Sequence, residues 1–256
     1  MFSDTTRPQA FDVLAALGLL TRLPITVDGV RATARGAAAA WAWPLAGALV
    51  GLIGGLAGSA ALGLGLPAGL AAALTLATQA LVTGAMHEDG LADSADGLWG
   101  GWDRARRLAI MKDSHIGTYG VLALVLSLIA RWSALMALLP LPGALAILVA
   151  VGGLSRAPMA VLMAWLPNAR DGGLSHSVGR PEAATAALAS VVAFGLAFGL
   201  LGAVALPAAF LIAGATLAFG AYARRRIGGQ TGDILGAAQQ LAEVLMLSLL
   251  AARLAA

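Results

Sequence analysis

Between residues 38 and 60 the chain carries no charged side chain, and the same holds for 68–86 and 183–222. A helix needs about 20 apolar residues to cross the hydrocarbon of a bilayer. There it must also satisfy every backbone N–H and C=O within the segment. Three more runs of this length, 118–139, 143–166 and 234–252, each hold one charge: Arg131, Arg156 and Glu243. The 183–222 run is too long for a single crossing, and Pro207 divides it into two. The expected fold is all-α: a polytopic transmembrane helix bundle of about seven spans. A short N-terminal helix near 11–20 is too short to cross and is expected to be interfacial or re-entrant. Residues 1–256 are expected to form one integral membrane unit.

Composition agrees. Hydrophobic types make up 59% of the residues and charged types 11%, against about 25% charged in soluble proteins. A disordered chain, a coiled coil and an ordinary soluble enzyme are excluded. With no cysteine, so are a disulfide, a zinc-thiolate site and a cysteine nucleophile. No removable signal peptide is expected, because acidic residues precede the apolar stretch 13–20 and no small-residue cleavage site follows it. A formal charge of +3 does not imply a nucleic-acid partner, since no Lys/Arg run interleaved with aromatics occurs. The basic residues mark orientation instead. Thirteen of the sixteen fall in the polar segments 1–36, 87–117, 167–182 and 223–233, which alternation of spans puts on one side. The positive-inside rule makes that side cytoplasmic, with the N-terminus in and the C-terminus out.

Acidic residues cluster in one of these segments. Six of the thirteen lie between 88 and 113, with a core HEDGLADSADG at 87–97. If the second span continues as a helix, Asp89, Asp93 and Asp96 share a face at i, i+4 and i+7. They would then lie near a helix C-terminus, where both mutual repulsion and the macrodipole disfavour anions. A hard divalent cation such as Mg2+ relieves both and shares its shell with substrate phosphate. These three are the expected metal ligands, and Glu88, one residue off the face, is expected to be solvated or behind it.

Further along, Gly97, Gly100 and Gly101 break the helix, and Asp103 to Met111 reads as a short amphipathic helix. Its arginines, Arg104, Arg106 and Arg107, either bind anions or anchor to headgroups. Lys112, Asp113 and His115 precede the third span beside Gly117 and Gly120. In the last polar segment Asp233 either joins a site or caps its own helix. Glu243, inside a span, is either functional or ion-paired with Arg131 or Arg156.

HEDGLADSADGLWGG at 87–101 and RLAIMKDSHIGTYG at 107–120 resemble signatures of the cobalamin synthase family, the adenosylcobinamide-GDP ribazoletransferases. TRLPI at 21–25, LPNARDGG at 166–173 and GGQTGDILGAAQQLAE at 228–243 are similar to its other motifs, in the same order. The resemblance implies a Mg2+-requiring membrane phosphotransferase of the bacterial cytoplasmic (inner) membrane, with its active face cytoplasmic. It would convert adenosylcobinamide-GDP and α-ribazole, or its 5′-phosphate, to adenosylcobalamin, or its 5′-phosphate, and GMP. Membrane lipid is the implied surrounding, and a homo-oligomer is left open. On this reading Asp113 or His115 is the base, and Arg22, His87, Lys112, Asp233 and Glu243 are substrate-binding. Two alternatives stay open. A CDP-alcohol phosphotransferase would need an Arg where Asp93 stands and two later Asp that do not align. A secondary transporter would place polar groups at the midplane, as Arg131, Arg156 and Glu243 could be.

Overall fold

A computed structural model describes residues 7–254, and within them every regular element is helical. In chain order these are α1 (Phe11–Leu20), α2 (Gly29–Arg35), a 3-10 segment (Gly36–Ala42), α3 (Trp43–Gly63), α4 (Ala68–Thr83), α5 (Met86–Gly100), α6 (Arg104–Ile110) and α7 (Thr118–Leu138). Then come α8 (Ala144–Leu154), α9 (Ala157–Trp165), α10 (Leu174–Val178), α11 (Ala183–Leu201), α12 (Ala205–Ile227) and α13 (Gly232–Leu254).

Five helical stretches are long and apolar enough to cross a membrane: 29–63, 118–138, 144–165, 183–227 and 232–254. The pair α4 and α5, bent by 89°, makes a sixth if it is one broken span. The expected seven is therefore not reached by length and apolarity alone. The difference lies at 183–227, which reverses at Gly202, where φ is 59°. Ala186 and Ala189 at its start, and Ala223 and Ile227 at its end, share one apolar cluster. Ala193, Ala197, Ala205, Ala208 and Ile212 between them lie in another. The stretch runs out and back, turning at Gly202–Val204 with Pro207 in the first turn of the returning helix.

The two clusters form two apolar storeys. One holds Leu135, Leu148, Leu154 and Met246. The other holds Leu20, Trp43, Met163, Leu166 and Ile234, beside the polar segments. Small residues let the backbones touch. A side chain at Gly47 would strike the carbonyl of Gly152, and one at Gly51 that of Leu148, so α3 and α8 pack without Cβ atoms between them.

The second span does not continue as expected. α4 ends on Gly84 at φ 65°, a left-handed cap, and Ala85 follows at φ 54°, the one described non-glycine residue at positive φ. The acidic run therefore opens a new helix, with Glu88 and Asp89 in its first turn. There the macrodipole favours anions, which reverses the C-terminal placement read from the sequence.

α1 is tied in by one buried cluster. Asp12 accepts hydrogen bonds from Arg35 at 2.6 and 2.8 Å, from Trp41 Nε1 at 2.7 Å and from the Gln9 N–H at 2.9 Å. Burial alone would raise its carboxyl, but the bonds from Arg35, Trp41 and Gln9 and the charge of Arg35 outweigh it and hold it below its usual value. A lowered folded-state value means stability that is present above the unfolded value, near 3.9, and lost as pH falls through the folded one. We expect the melting temperature in detergent to hold at neutral pH and fall below about pH 4. In Asp12→Asn it should already be lower at pH 7, with that acid-dependent step reduced. An unaltered acid profile in the variant would remove Asp12 from this role.

Candidate active site

Three polar segments meet at one end of the bundle. The backbone of 167–169 pairs with Gln230: the Ala169 N–H donates to its carbonyl at 2.8 Å, and the Gln230 N–H donates to Pro167 O at 2.9 Å. Gly229 is required here, since a Cβ would strike the Pro167 carbonyl. The side chains of Gln230 and Asn168 add a bond of 2.5 Å. This clamp sets Arg170 against Asp233, with Nη2 to Oδ2 at 3.0 Å. The α5–α13 contact closes on Gly90 and Gly236, where a Cβ at Gly90 would lie 2.8 Å from the Asp233 carbonyl.

Asp233 thus approaches the acidic helix, as a single pocket requires. Asp93 lies within the field of Asp89, Asp233 and Asp96, with Arg170 as the offsetting cation. The cap reading of Asp233 is corrected: Thr231 Oγ1 accepts the Ile234 N–H at 3.3 Å and caps α13. Asp233 accepts from the Thr231 hydroxyl and from Arg170.

Asp96 acts on Asp93, as a shared face requires, but its carboxylate is also tied to the start of α7. Its oxygens accept the Gly117 N–H at 2.7 Å and the Gly120 N–H at 2.9 Å, holding the start of α7. Glycine is needed at both positions, because a Cβ would crowd that carboxylate. Among the described residues no three Asp, Glu, His or Cys side chains converge closely enough to hold a metal ion. Asp89, Asp93 and Asp233 are near enough to act on one another electrostatically, with Arg170 as an offsetting cation.

Glu88 is not solvated. It accepts from Arg131 and from Gln240, both at 3.2 Å. Arg131 also donates to Glu243 at 3.2 Å, Arg156 to Glu243 at 3.4 Å, and Gln239 to Glu243 at 2.6 Å. Glu243 is therefore the hub of a buried polar layer between the two apolar storeys. Its ion-pair reading holds, with both arginines at once.

Of the remaining expected residues, Arg22, Lys112, Asp113 and His115 are exposed and His87 is buried. Arg22 donates its backbone N–H to Val82 O at 2.6 Å and lays its side chain over Gly84, at the α4–α5 bend. Lys112 is exposed. His115 Nδ1 and Asp113 lie 2.7 Å apart, and this bond, with one from the His115 N–H, holds the Asp113 carboxyl below its usual range. Among the described residues no hydrogen bond or ion pair joins either to Asp89, Asp93 or Asp233. His87 is 2% exposed and lines a cavity beside Gly236. The arginines of α6 divide: Arg104 donates to Ala169 O, and Arg107 to the carbonyls of Trp102 and Arg226, tying loops together, while Arg106 is exposed.

Fold and site together define a polytopic α-helical membrane protein that gathers carboxylates and guanidinium groups at one end of its bundle. The chain belongs to the cobalamin-5-phosphate synthase family, whose model matches residues 12–251. Among its relatives is the adenosylcobinamide-GDP ribazoletransferase of Bradyrhizobium diazoefficiens, 45% identical over 252 residues that cover 98% of this chain and 96% of the relative. Another of the same name, from a Sinorhizobium species, is 44% identical over 256 residues, covering 94% and 95%. No solved structure matches the chain.

Proposed function

We propose that the protein transfers the adenosylcobinamide-phosphate moiety of adenosylcobinamide-GDP to α-ribazole or its 5′-phosphate, releasing GMP. The observation that carries this reading is the pairing of Arg170 with Asp233 at 3.0 Å where α13 closes on Gly90 of the acidic helix, which brings three of the family-like segments to one place. A ribose hydroxyl oxygen bonds to the phosphorus nearest the cobinamide. The bond from that phosphorus to the bridging oxygen breaks, and GMP leaves with that oxygen. Asp89, Asp93 and Asp233 would hold Mg2+, which when bound offsets charge on the phosphoryl group and on the leaving GMP. Arg170, with Arg22 and Lys112, binds phosphate oxygens. His115, held through Nδ1 by Asp113, takes the hydroxyl proton at Nε2, so Asp113 serves as its partner and not as the base.

The site faces the cytoplasm of a bacterial inner membrane, with seven crossings if α4 and α5 count as one and α11 and α12 as two. A reporter fused after Ala256 is then expected to be extracytoplasmic and one inserted near residue 175 cytoplasmic; the same side for both would end this topology. The function is tested with protein purified in detergent and given adenosylcobinamide-GDP, α-ribazole and Mg2+. GMP release dependent on both substrates is expected, and its absence overturns the reading.

A further inference from the structure

A cleft of about 470 Å3, within the size range of ligand sites, lies between α7 and α12 with α5 and α13 behind it. Its walls are apolar: Leu91, Ala95 and Leu98 of α5, Leu126 of α7, Phe219 of α12 and Val244 of α13. Leu126 at its rim is 65% exposed, so the cleft opens sideways from a span. Leu91, Ala95 and Leu98 stand at i, i+4 and i+7, on the face of α5 turned away from Asp89, Asp93 and Asp96. The cleft is therefore separate from the carboxylates. It runs from Ala123 to Ala130 along α7 and from Leu91 to Trp99 along α5, about 10 and 12 Å at the helical rise. One leaflet of hydrocarbon is about 15 Å deep. An apolar slot that follows the spans through most of a leaflet has the shape of an acyl chain lying parallel to the helices.

Polar groups mark where the head of such a molecule belongs. α5 runs antiparallel to α7, from Glu88 against Arg131 to Asp96 at the start of α7, so Leu98 and Trp99 lie at the polar end of the cleft. Arg226 joins them there. Its Nη2 donates to the Leu98 carbonyl at 2.7 Å, its Nε is buried without a partner, and among the described residues no carboxylate pairs with it. The rings of Trp99 and Tyr222 lie 5.6 Å apart, and the Arg226 guanidinium stands 5.6 Å from the Tyr222 ring. Arg224 and Arg225, both exposed, share the last turn of α12. Tryptophan and tyrosine anchor at headgroup level, and clustered arginines there draw anionic lipid. One turn deeper than Leu98, Ser94 also lines the cleft; it is 2% exposed and its hydroxyl has no hydrogen-bond partner. An unmet buried hydroxyl costs more than a made bond returns. The other polar side chains in the wall are already engaged: Ser127 donates to Gln240 at 3.4 Å, and Gln240 donates to Glu88 and Gln239.

We propose that this cleft holds one anionic phospholipid, with an acyl chain along α5, α7 and α13, an ester carbonyl on the Ser94 hydroxyl and the phosphate on Arg226. The proposal is independent of the ribazoletransferase reading. The order of the groups matches that of the molecule: a cation at the mouth, one hydroxyl donor a turn below it, then apolar wall. A choline headgroup would bring a further cation beside three arginines, so a lipid of net negative charge is the better match.

The test is native mass spectrometry of the full chain, purified in detergent and given phosphatidylglycerol or phosphatidylcholine with the same chains. Wild-type protein is expected to retain one phosphatidylglycerol and to bind it about tenfold more tightly than phosphatidylcholine. Arg226→Gln is expected to remove that preference, and Arg226→Lys to keep part of it. Ser94→Ala should weaken phosphatidylglycerol about fivefold, to the level at which wild type binds the ether-linked form that lacks the carbonyl. Ala123→Trp, on the α7 wall, fills the cleft and is expected to abolish retention of both lipids in a protein that still melts cooperatively; Leu241→Trp fills it from α13 if that variant does not fold. Equal binding of the two lipids by wild type, or a lipid retained unchanged after the filling, would overturn the site. Equal binding of ester and ether forms would overturn the place given to Ser94. A lipid-free dimer that the filling separates would overturn the proposal too, because a second copy would then occupy the cleft. If Arg226→Gln does not fold, the wild-type preference and the filled variants decide between these outcomes.

Discussion

Asp93→Asn is expected to lower GMP release by about 10³-fold while the purified protein melts at the same temperature as wild type or higher. The two halves follow from one arrangement. Asp93 is half-buried and acted on by three carboxylates, Asp89, Asp233 and Asp96, with Arg170 as the offsetting cation. Removing its charge relieves repulsion in the folded state, so the fold gains. The same removal takes away a donor for the proposed Mg2+, so turnover collapses; function kept at a cost in stability is a common trade at active sites. Asp96→Asn should behave in the opposite way. Its carboxylate accepts two backbone N–H bonds at the start of α7, so its loss should cost stability by about 1–3 kcal/mol, with activity falling only as far as folded protein is lost. Turnover with substrates and Mg2+, measured beside thermal unfolding in the same detergent, separates the two. Near-wild-type turnover in Asp93→Asn would remove it from the site. Loss of both activity and fold in that variant would mean that Asp93 serves structure.

The spans were legible because lipid leaves a helix little choice: apolar runs of the right length and a polar segment after each are nearly sufficient. The short helix 104–110 was legible too, from the amphipathic pattern of Asp103 to Met111, and the structure adds Asp103 as its cap. The α4–α5 bend was not. Gly84 and Ala85 lie in apolar context, and the Arg22 side chain that packs over Gly84 is about 60 residues away along the chain. Helical phase put Asp96 on one face with Asp89 and Asp93; it could not show that the Gly117 and Gly120 N–H groups at the start of α7 take up that carboxylate. Arg170 looked like any loop arginine; only the pairing of 167–169 with Gln230 carries it to Asp233. Counting charge narrows the search for Glu88 without completing it. Two arginines inside spans need two anions and Glu243 supplies one, but Glu88, Glu182 and Asp233 all stand within two residues of a span, so the count shows that a second acid faces inward without singling out Glu88.

That pairing makes the largest stability prediction. Glu243→Leu is expected to destabilise the bundle by about 3–5 kcal/mol, enough to leave little monodisperse protein after extraction. Arg131 lies 13 residues into α7, about 20 Å at the helical rise, so water is remote from it and from Arg156. Without Glu243, Arg156 keeps only Ser155 Oγ and the Gly152 carbonyl, and Arg131 keeps Glu88. A buried guanidinium short of its counter-charge is the expensive species, and the pair as a whole is not. The double variant Glu243→Leu with Arg156→Met should therefore recover most of the lost stability, because one anion and one cation, Glu88 and Arg131, remain matched at 3.2 Å. Wild-type stability in Glu243→Leu alone would show that the layer is hydrated and that burial does not set its energetics. Activity in the double variant then carries separate information. Glu88 is bonded to Arg131 and Gln240 and directly precedes Asp89, so a layer that also aims α5 would leave the double variant stable but slow. A layer that serves packing alone would restore turnover together with the fold.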